Sequence, residues 1–242
     1  AMVEAALEIN HWCAGEVMYQ GTDMRTGSAL EIYRSGVGRC GEEAVFVVNV
    51  MRSAGIPARP VYVPRWSHCD DNHAWVEVWC DGDWHYLGAC EPEAVLDKGW
   101  FTNAASRAMM IGSRWYDRAM PDEKVIGKDG MNRILNLLGK YAKTRWITIT
   151  VEDLDGTPAA GAKVRAEVMN YGEFSPIAIM EADKNGCISF ETGFGSLLIC
   201  AVYDGAYGEM VIDTREDDHF TCTLGEEYED ELWVDFDMNA PE

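Results

Sequence analysis

A cysteine and a histidine in the first third of the chain have the types and setting of a nucleophile and its base. Cys40 follows the glycine-containing approach Gly36–Gly38, and His73 opens an alternating run that ends at Trp79. An imidazole can take the proton of a thiol and later return it to a leaving group, which allows a covalent acyl-enzyme to form. The two residues predict acyl-transfer chemistry at Cys40 with His73 as general base and acid.

The segment after Cys40 has the pattern of a buried helix. Val45, Val48 and Met51 recur at helical spacing between Glu42 and Arg52. Cys40 then lies at the helix N-terminus, where free backbone N–H groups favour a negative charge and lower the pKa of a thiol. The same N–H groups could hold the oxyanion of a tetrahedral intermediate. Ser53–Gly55 is a typical end for this helix.

The segment around His73 predicts a β-hairpin. Asn72–Trp79 alternates in hydrophobicity, Asp81–Asp83 has turn chemistry, and Trp84–Leu87 is the expected returning strand. The residues that follow Leu87 should come back to the neighbourhood of His73. A group that orients the imidazole is therefore expected just after Leu87.

Several of these segments together resemble the transglutaminase-like superfamily of cysteine acyltransferases and hydrolases, over roughly residues 5 to 120. The segments that carry the resemblance are Gly38-Arg39-Cys40-Gly41-Glu42, Arg52-Ser53-Ala54-Gly55-Ile56-Pro57-Ala58-Arg59, Asn72-His73-Ala74-Trp75-Val76-Glu77-Val78 and the stretch from Trp84 to Pro92, which also resembles the peptide N-glycanase-like branch. The resemblance implies an α+β papain-like fold with Cys40 as nucleophile and His73 as base.

One position departs from the family pattern. The resemblance implies an aspartate just after the returning strand, and this chain has Gly88 there. The nearest carboxylate is Glu91, while Glu77 shares a strand face with His73 but lies further along it. Either the site is a Cys40–His73–Glu91 triad, or it is a degraded dyad in a non-catalytic peptide- or glycan-binding protein.

Other chemistry-bearing residues give weaker signals. Trp12, Tyr19 and Gln20 are unranked candidates for a side-chain oxyanion donor. A zinc site would need Cys69, Cys80, Cys90, His68 and His85, but their spacing matches no zinc motif, so the sequence predicts neither metal nor cofactor. Most of the tryptophans Trp66, Trp75, Trp79, Trp84 and Trp100 should form core and cleft wall, with one or two lining a groove.

Composition limits the possible partners. The formal net charge of −21 over 242 residues argues against nucleic acid and anionic membranes. No apolar run reaches transmembrane length, and no signal peptide is recognisable, although Ala1-Met2 is typical of a start added by cloning. The eight cysteines form no compact disulfide pattern, which favours a reducing, cytoplasmic compartment. Localisation and oligomeric state stay open.

The sequence predicts three parts: a catalytic domain over 1–120, a helical connector over 121–144 and a β-sandwich over 145–242. The connector rests on a helix expected at Asp129–Tyr141. Short strands and the Asp183–Gly186 turn give the last part a resemblance to transthyretin-like and carboxypeptidase-regulatory-like domains. An acidic run, Glu226–Glu231, precedes a further strand expected at Leu232–Phe236. Helices are expected at Glu4–Tyr19 and Ser28–Ser35.

These features together favour an enzyme that cleaves amide or isopeptide bonds of a peptide, protein or glycopeptide. Hydrolysis is favoured over transamidation, because a transferase must exclude water and the sequence identifies no tunnel for a second substrate.

Overall fold

The computed structural model describes residues 2–22, 25–116 and 124–225. The chain divides into two compact units. Unit 1 comprises Ala1–Tyr62 and Asn72–Asn103, and unit 2 comprises Val63–Asp71 and Ala104–Glu242.

The described residues of unit 1 form three helices and strands of two sheets. The helices are α1 (Met2–Glu16), α2 (Ala29–Ser35) and α3 (Cys40–Ser53), and the chain passes into unit 2 within α4 (Thr102–Ala105). The strands are β1 (Met18–Tyr19), β2 (Val37–Gly38), β3 (Ala58–Val63), β4 (His73–Cys80) and β5 (Asp83–Leu87). β1 pairs with β2 in parallel, and the sheet order β5-β4-β3 places β4 in the middle.

Local signals explain the ends of α2 and α3. Ser28 caps α2 in a capping box with Glu31. At the start of α3, the Glu42 carboxylate accepts from the backbone N–H of Arg39 at 3.2 Å. Gly55 follows the end of α3 with a φ of +82°, a conformation that glycine adopts without strain. The helix over Glu42–Arg52 is confirmed, and it begins two residues earlier, at Cys40 itself.

The helix expected at Glu4–Tyr19 ends early. It stops at Glu16, and Met18 and Tyr19 instead pair with Val37 and Gly38. Gly15 weakens helix propensity near this point, and the parallel pairing satisfies backbone groups that a longer helix would have used. As a result, the chain after α1 runs beside the residues that lead into Cys40.

The core of unit 1 forms between α3 and β4. Phe46, Val47 and Met51 of α3 belong to one cluster of buried side chains with Val76 and Val78 of β4. The expected hairpin forms between β4 and β5, with Leu87 opposite Val76 and Asp83 opposite Cys80. Asp81 and Gly82 both have positive φ, as the two-residue turn requires.

The helical connector is a wrong prediction over its described residues. Unit 2 has the strands β6 (Gly112–Trp115), β7 (Lys124–Asp129) and β8 (Asn132–Asn136). β8 and a short 3-10 helix at Leu138–Lys140 stand where the helix was expected. β8 pairs antiparallel with both β6 and β7. Gly130 has a φ of +59° in the β7–β8 turn, so a hairpin forms where the spacing of Ile134, Leu137 and Leu138 also suited a helix.

The described part of unit 2 after residue 144 contains seven strands. Two sheets share one cluster of buried apolar side chains. Their strands are β9 (Arg145–Glu152), β10 (Lys163–Asn170), β11 (Glu173–Glu181), β12 (Cys187–Thr192), β13 (Ser196–Tyr203), β14 (Ala206–Asp213) and β15 (His219–Thr223). One sheet has the order β11-β10-β13-β14 and the other β12-β9-β15. The acidic run Glu226–Glu231 and the strand expected at Leu232–Phe236 lie outside the described residues.

Unit 2 extends beyond the predicted third part. It includes 63–71 and 104–144 as well as the strands after 145. The boundaries at 120 and 144 therefore stay predictions.

Candidate active site

Cys40 is the first residue of α3 and its side chain is half-buried. Burial raises the pKa of the Cys40 thiol, while hydrogen bonding from the backbone N–H groups of Ala74 and Gly41 lowers it by less. The expectation of a lowered pKa is thus wrong in its net direction: the helix N-terminus acts as predicted, but desolvation outweighs it. Because Ala74 follows His73 directly, its effect on Cys40 places the thiol beside the start of β4.

His73 is the first residue of β4 and is 5% exposed. Aromatic rings surround it: the centroids of Trp100, Phe101 and Trp75 lie 4.6, 4.9 and 5.8 Å from the imidazole centroid. Trp75 and Phe101 also stack on each other at 4.8 Å. These contacts fix the plane of the ring and keep much of the solvent away from it.

Glu91 lies directly over Gly88. A Cβ atom at position 88 would come within 2.8 Å of Glu91 Cβ and 3.2 Å of Glu91 Cδ, and it would overlap Oε2. The carboxyl group therefore fills the space of the side chain that Gly88 lacks. Burial raises the pKa of Glu91, and a hydrogen bond from Trp100 lowers it by less.

Trp100 joins the histidine and the glutamate. Its indole Nε1–H donates to Glu91 Oε1 at 3.0 Å, and its ring packs at 4.6 Å from the His73 ring. The residue is nevertheless 65% exposed. An exposed aromatic ring between two candidate catalytic groups can act as a wall of a substrate cleft.

Glu43 is a site residue that the sequence analysis missed. It lies one helical turn after Cys40 on α3, and it is 3% exposed. Burial and the negative charge of Glu91 raise the pKa of Glu43 to about 8. At neutral pH Glu43 therefore holds its proton. The one sign in the sequence that Glu43 would be buried at the candidate site was its position on the inner face of an amphipathic helix.

Glu42 holds the loop before α2 onto the start of α3. Its carboxylate accepts from the Thr22 hydroxyl at 2.5 Å and from the Gly27 N–H at 3.1 Å, besides Arg39. Burial opposes ionisation of Glu42, but these hydrogen bonds outweigh it and keep its pKa below the ordinary value. The backbone around Cys40 is thereby tied to two neighbouring segments.

Glu77, the second carboxylate considered for the imidazole, is engaged elsewhere. Arg59 Nε donates to Glu77 Oε2 at 2.6 Å, and Nη2 lies 2.5 Å from the same oxygen. Arg59 is also stacked 4.1 Å from the centre of the Trp84 ring. Both charged groups are almost fully buried, so this ion pair belongs to the core of unit 1.

Of the three oxyanion candidates, Tyr19 pairs with Gly38 in the approach to Cys40, and Gln20 lies directly beside it. The backbone N–H of Gln20 donates to Gly38 O at 2.9 Å. Trp12 instead packs against Tyr33 and Phe46 at 6.2 and 6.1 Å.

Within the described residues, the potential metal ligands that come within 4.8 Å of one another are Asp217, Asp218 and His219. Of the residues considered for zinc, His85 is bound to Asp97 at 2.6 Å. None of the described helices is long and apolar enough to cross a membrane.

Comparison with known proteins bears on the first part of the chain. Residues 1–89 match the model of the transglutaminase-like superfamily. This range contains Cys40 and His73 and ends just before Glu91. Residues 1–89 are therefore transglutaminase-like, with the mixed α/β character described above. No curated protein sequence matches the chain.

Three solved structures show weak similarity. A candidate cysteine protease from Cytophaga hutchinsonii is 19% identical, with 54% of this chain and 51% of that chain covered and a TM-score of 0.33. Red sea bream transglutaminase is 11% identical, and the match covers 92% of this chain and 53% of the transglutaminase, with a TM-score of 0.35. A streptococcal ancillary pilin is 10% identical, and the match covers 69% of this chain and 61% of the pilin, with a TM-score of 0.26. The matched regions span about half the length of the first two proteins.

Proposed function

We propose that the protein is a cysteine-dependent acyl-transfer enzyme that cleaves amide or isopeptide bonds of peptides or proteins, including glycopeptides. The observation that carries the proposal is the meeting of two elements: Cys40 begins α3, and the N–H of Ala74, next to His73, acts on its sulfur. The match of residues 1–89 to a family with this chemistry supports it.

The raised pKa of Cys40 defines the role of His73. A buried thiol that does not ionise by itself needs a base at the moment of attack. His73 takes the thiol proton as the sulfur bonds to the carbonyl carbon, and then gives that proton to the leaving amine as the C–N bond breaks. The product is a thioester on Cys40.

Water completes the reaction in this proposal. His73 takes a proton from the water as its oxygen attacks the thioester, and it returns a proton to the departing sulfur. A carboxylic acid leaves, and the free thiol is restored. Hydrolysis rather than transamidation is proposed because neither step needs a second organic substrate.

Glu91 is proposed as the carboxylate that orients the His73 side of the site, in place of the aspartate implied at position 88. Its carboxyl occupies that space and accepts from Trp100, which packs on His73. With Glu43 holding a proton, Glu91 is the member of this carboxyl pair that carries the charge. A fixed negative charge stabilises the imidazolium that forms during the reaction.

The described strands after 145 are proposed to form a transthyretin-like β-sandwich domain that binds or positions substrate. The shared apolar cluster of the two sheets supports this. Limited proteolysis of the full chain should then release a resistant fragment that begins near residue 145. Continuous degradation of that region would contradict the assignment.

The test of the enzymatic proposal is the pH dependence of Cys40 alkylation by iodoacetamide, with adducts mapped by mass spectrometry. Wild type is compared with His73→Ala, and with His85→Ala as a matched control on the neighbouring strand. His73→Ala should slow alkylation at pH 7 and move its onset to higher pH, because the buried thiol must then ionise without a base, while His85→Ala leaves the profile unchanged. If all three profiles coincide and Cys40 reacts no faster than the exposed Cys69, the binding-protein alternative replaces the enzyme.

Hydrolysis and transamidation are separated by a second measurement. Peptide and isopeptide libraries are incubated with and without a fluorescent primary amine. Release of carboxylic acid without incorporation of the amine supports hydrolysis, and incorporation of the amine would overturn that part of the proposal.

A further inference from the structure

Asn10 is a buried polar residue of α1 that no step of the proposed reaction uses. Its side chain is 1% exposed, and the other buried residues of the helix are the small Ala6 and Cys13. A buried amide left without hydrogen bonds destabilises the fold. The hydrogen-bond partners of the Asn10 amide therefore show why this position of α1 is an asparagine.

The hydrogen bonds of the Asn10 amide within the described residues all go to one turn. Nδ2 donates to Gly88 O at 2.9 Å and, more weakly, to Glu91 O at 3.5 Å. Oδ1 accepts from the backbone N–H of Cys90 at 3.0 Å. One side chain from α1 thus holds three backbone groups of the segment Gly88–Glu91.

This turn has a strained shape that needs such support. Cys90 has a φ of +57°, a left-handed conformation that is unfavourable for a residue with a Cβ atom. The turn's own hydrogen bond, from Glu91 N to Gly88 O, is 3.2 Å long. Asn10 adds bonds on both sides of Cys90 and so fixes the conformation.

The shape of the turn decides where the Glu91 carboxyl group points. Only because the chain reverses at Cys90 does the Glu91 side chain fold back over Gly88 and meet the indole of Trp100. If the turn relaxed, the carboxyl would leave both contacts. Glu91 would then be exposed to water and would no longer be held beside the Trp100–His73 pair.

We propose that Asn10 is a positioning residue of the active site, which acts from α1 through the Gly88–Glu91 turn to aim the Glu91 carboxyl group. This inference rests on the proposed function, because it gives Asn10 a role only if Cys40 and His73 carry out the chemistry. A purely structural Asn10 would join α1 to the turn without affecting the reactivity of Cys40.

The experiment measures the pH profile of Cys40 alkylation by iodoacetamide in full-length variants that are folded by circular dichroism. Asn10→Ala removes all three hydrogen bonds. Asn10→Asp is nearly the same shape and keeps the acceptor for Cys90 N–H, so it serves if the alanine variant does not fold. Ile56→Val is the control for general destabilisation, because Ile56 belongs to the same cluster of buried side chains as Ala6 and Cys13 of α1.

Asn10→Ala should lower the rate at pH 7 on the order of tenfold, less than the ~100-fold that a 1 Å misplacement can cost. Glu91→Gln should lower it similarly, and the double variant Asn10→Ala/Glu91→Gln should be no slower than Glu91→Gln alone. The same non-additivity should hold for Asn10→Asp. If the new carboxylate of Asn10→Asp instead changed the alkylation rate of Cys40 directly through its charge, the change would still be seen when Glu91 is replaced by Gln.

Three outcomes would overturn the inference, and they can be told apart. If His73→Ala and Glu91→Gln slow alkylation but the Asn10 variants behave like Ile56→Val, Asn10 is only structural and the proposed function stands. If Glu91→Gln has no effect, or if the Asn10 and Glu91 effects add fully, Asn10 does not act through Glu91. If His73→Ala changes nothing, the proposed function itself fails, and the role of Asn10 with it.

Discussion

The carboxyl group of Glu91 fills the space in which a side chain at position 88 would stand. Gly88 does not have a positive φ, so the glycine is needed for room rather than for its backbone freedom. The contact with Glu91 Cβ, 2.8 Å from a Cβ at 88, shows that the two side chains exclude each other. Position 88 and position 91 can supply one carboxylate between them, but not two.

This exclusion predicts the result of restoring the aspartate that the family resemblance implies. Gly88→Asp alone should disturb the site, because its Cβ collides with Glu91. Gly88→Asp/Glu91→Ala should recover Cys40 reactivity relative to Glu91→Ala, since one carboxylate again stands beside the Trp100–His73 pair. The alkylation profile of Cys40 is the measurement. A double variant as slow as Glu91→Ala would show that the two positions are not equivalent.

Glu43 should make the protein less stable as the pH rises. Its pKa is about 8 in the folded chain and near 4.5 when unfolded, so between these values the unfolded state loses the proton first. The stability contributed by Glu43 is present below pH ~4.5, falls through this window and is constant above pH 8. Glu43→Gln removes this pH-dependent loss of stability. At pH 8 it should therefore be more stable than wild type by on the order of a few kcal/mol.

Thermal unfolding of Glu43→Gln and wild type at pH 5, 6, 7 and 8 measures this. The two curves should be similar at pH 5 and diverge as the pH rises. Glu8→Gln, at an exposed position of α1, is the control and should track wild type. A constant difference between Glu43→Gln and wild type at every pH would mean that Glu43 does not titrate in this window.

The places of Cys40 and His73 could be predicted because they depend on local patterns. Helical spacing after Cys40 and alternation after His73 define α3 and β4. The partnership of Glu43 with Glu91 could not be predicted in this way, because it exists only once α3 packs near the end of β5. The net direction of the Cys40 pKa shift could not be predicted either, since desolvation depends on which side chains cover the thiol.

The wrong helix at Asp129–Tyr141 has a different cause. Ile134, Leu137 and Leu138 fit a helical face, but Ile134 lies in β8 and pairs with Arg114 of β6 and Gly127 of β7. Short apolar runs of this length do not distinguish a helix from a buried strand. The turn at Gly130 was the local sign of a hairpin.

Trp100→Phe tests the hydrogen bond to Glu91 apart from the ring packing on His73. Loss of the indole N–H removes an interaction that lowers the pKa of Glu91, so that pKa should rise. The carboxylate then forms only at higher pH, and the acid limb of the Cys40 alkylation profile should move upward. Trp79→Phe, which changes a partly exposed tryptophan packed on Trp84, should leave the profile in place. An unchanged profile in Trp100→Phe would show that the hydrogen bond does not tune the site.

The buried Arg59–Glu77 pair predicts a large loss of stability when one partner is removed. Arg59→Ala leaves Glu77, which is 2% exposed, as a buried charge without its ion-pair partner, and such changes cost roughly 3–5 kcal/mol. Lys98→Ala breaks the exposed pair with Glu93, in which Lys98 is 60% exposed, and should cost less than about 1 kcal/mol. Urea unfolding followed by circular dichroism compares the two. Arg59→Met/Glu77→Leu should be more stable than Arg59→Ala, because no charge is left buried; if it is less stable, the desolvated charge is not the source of the loss.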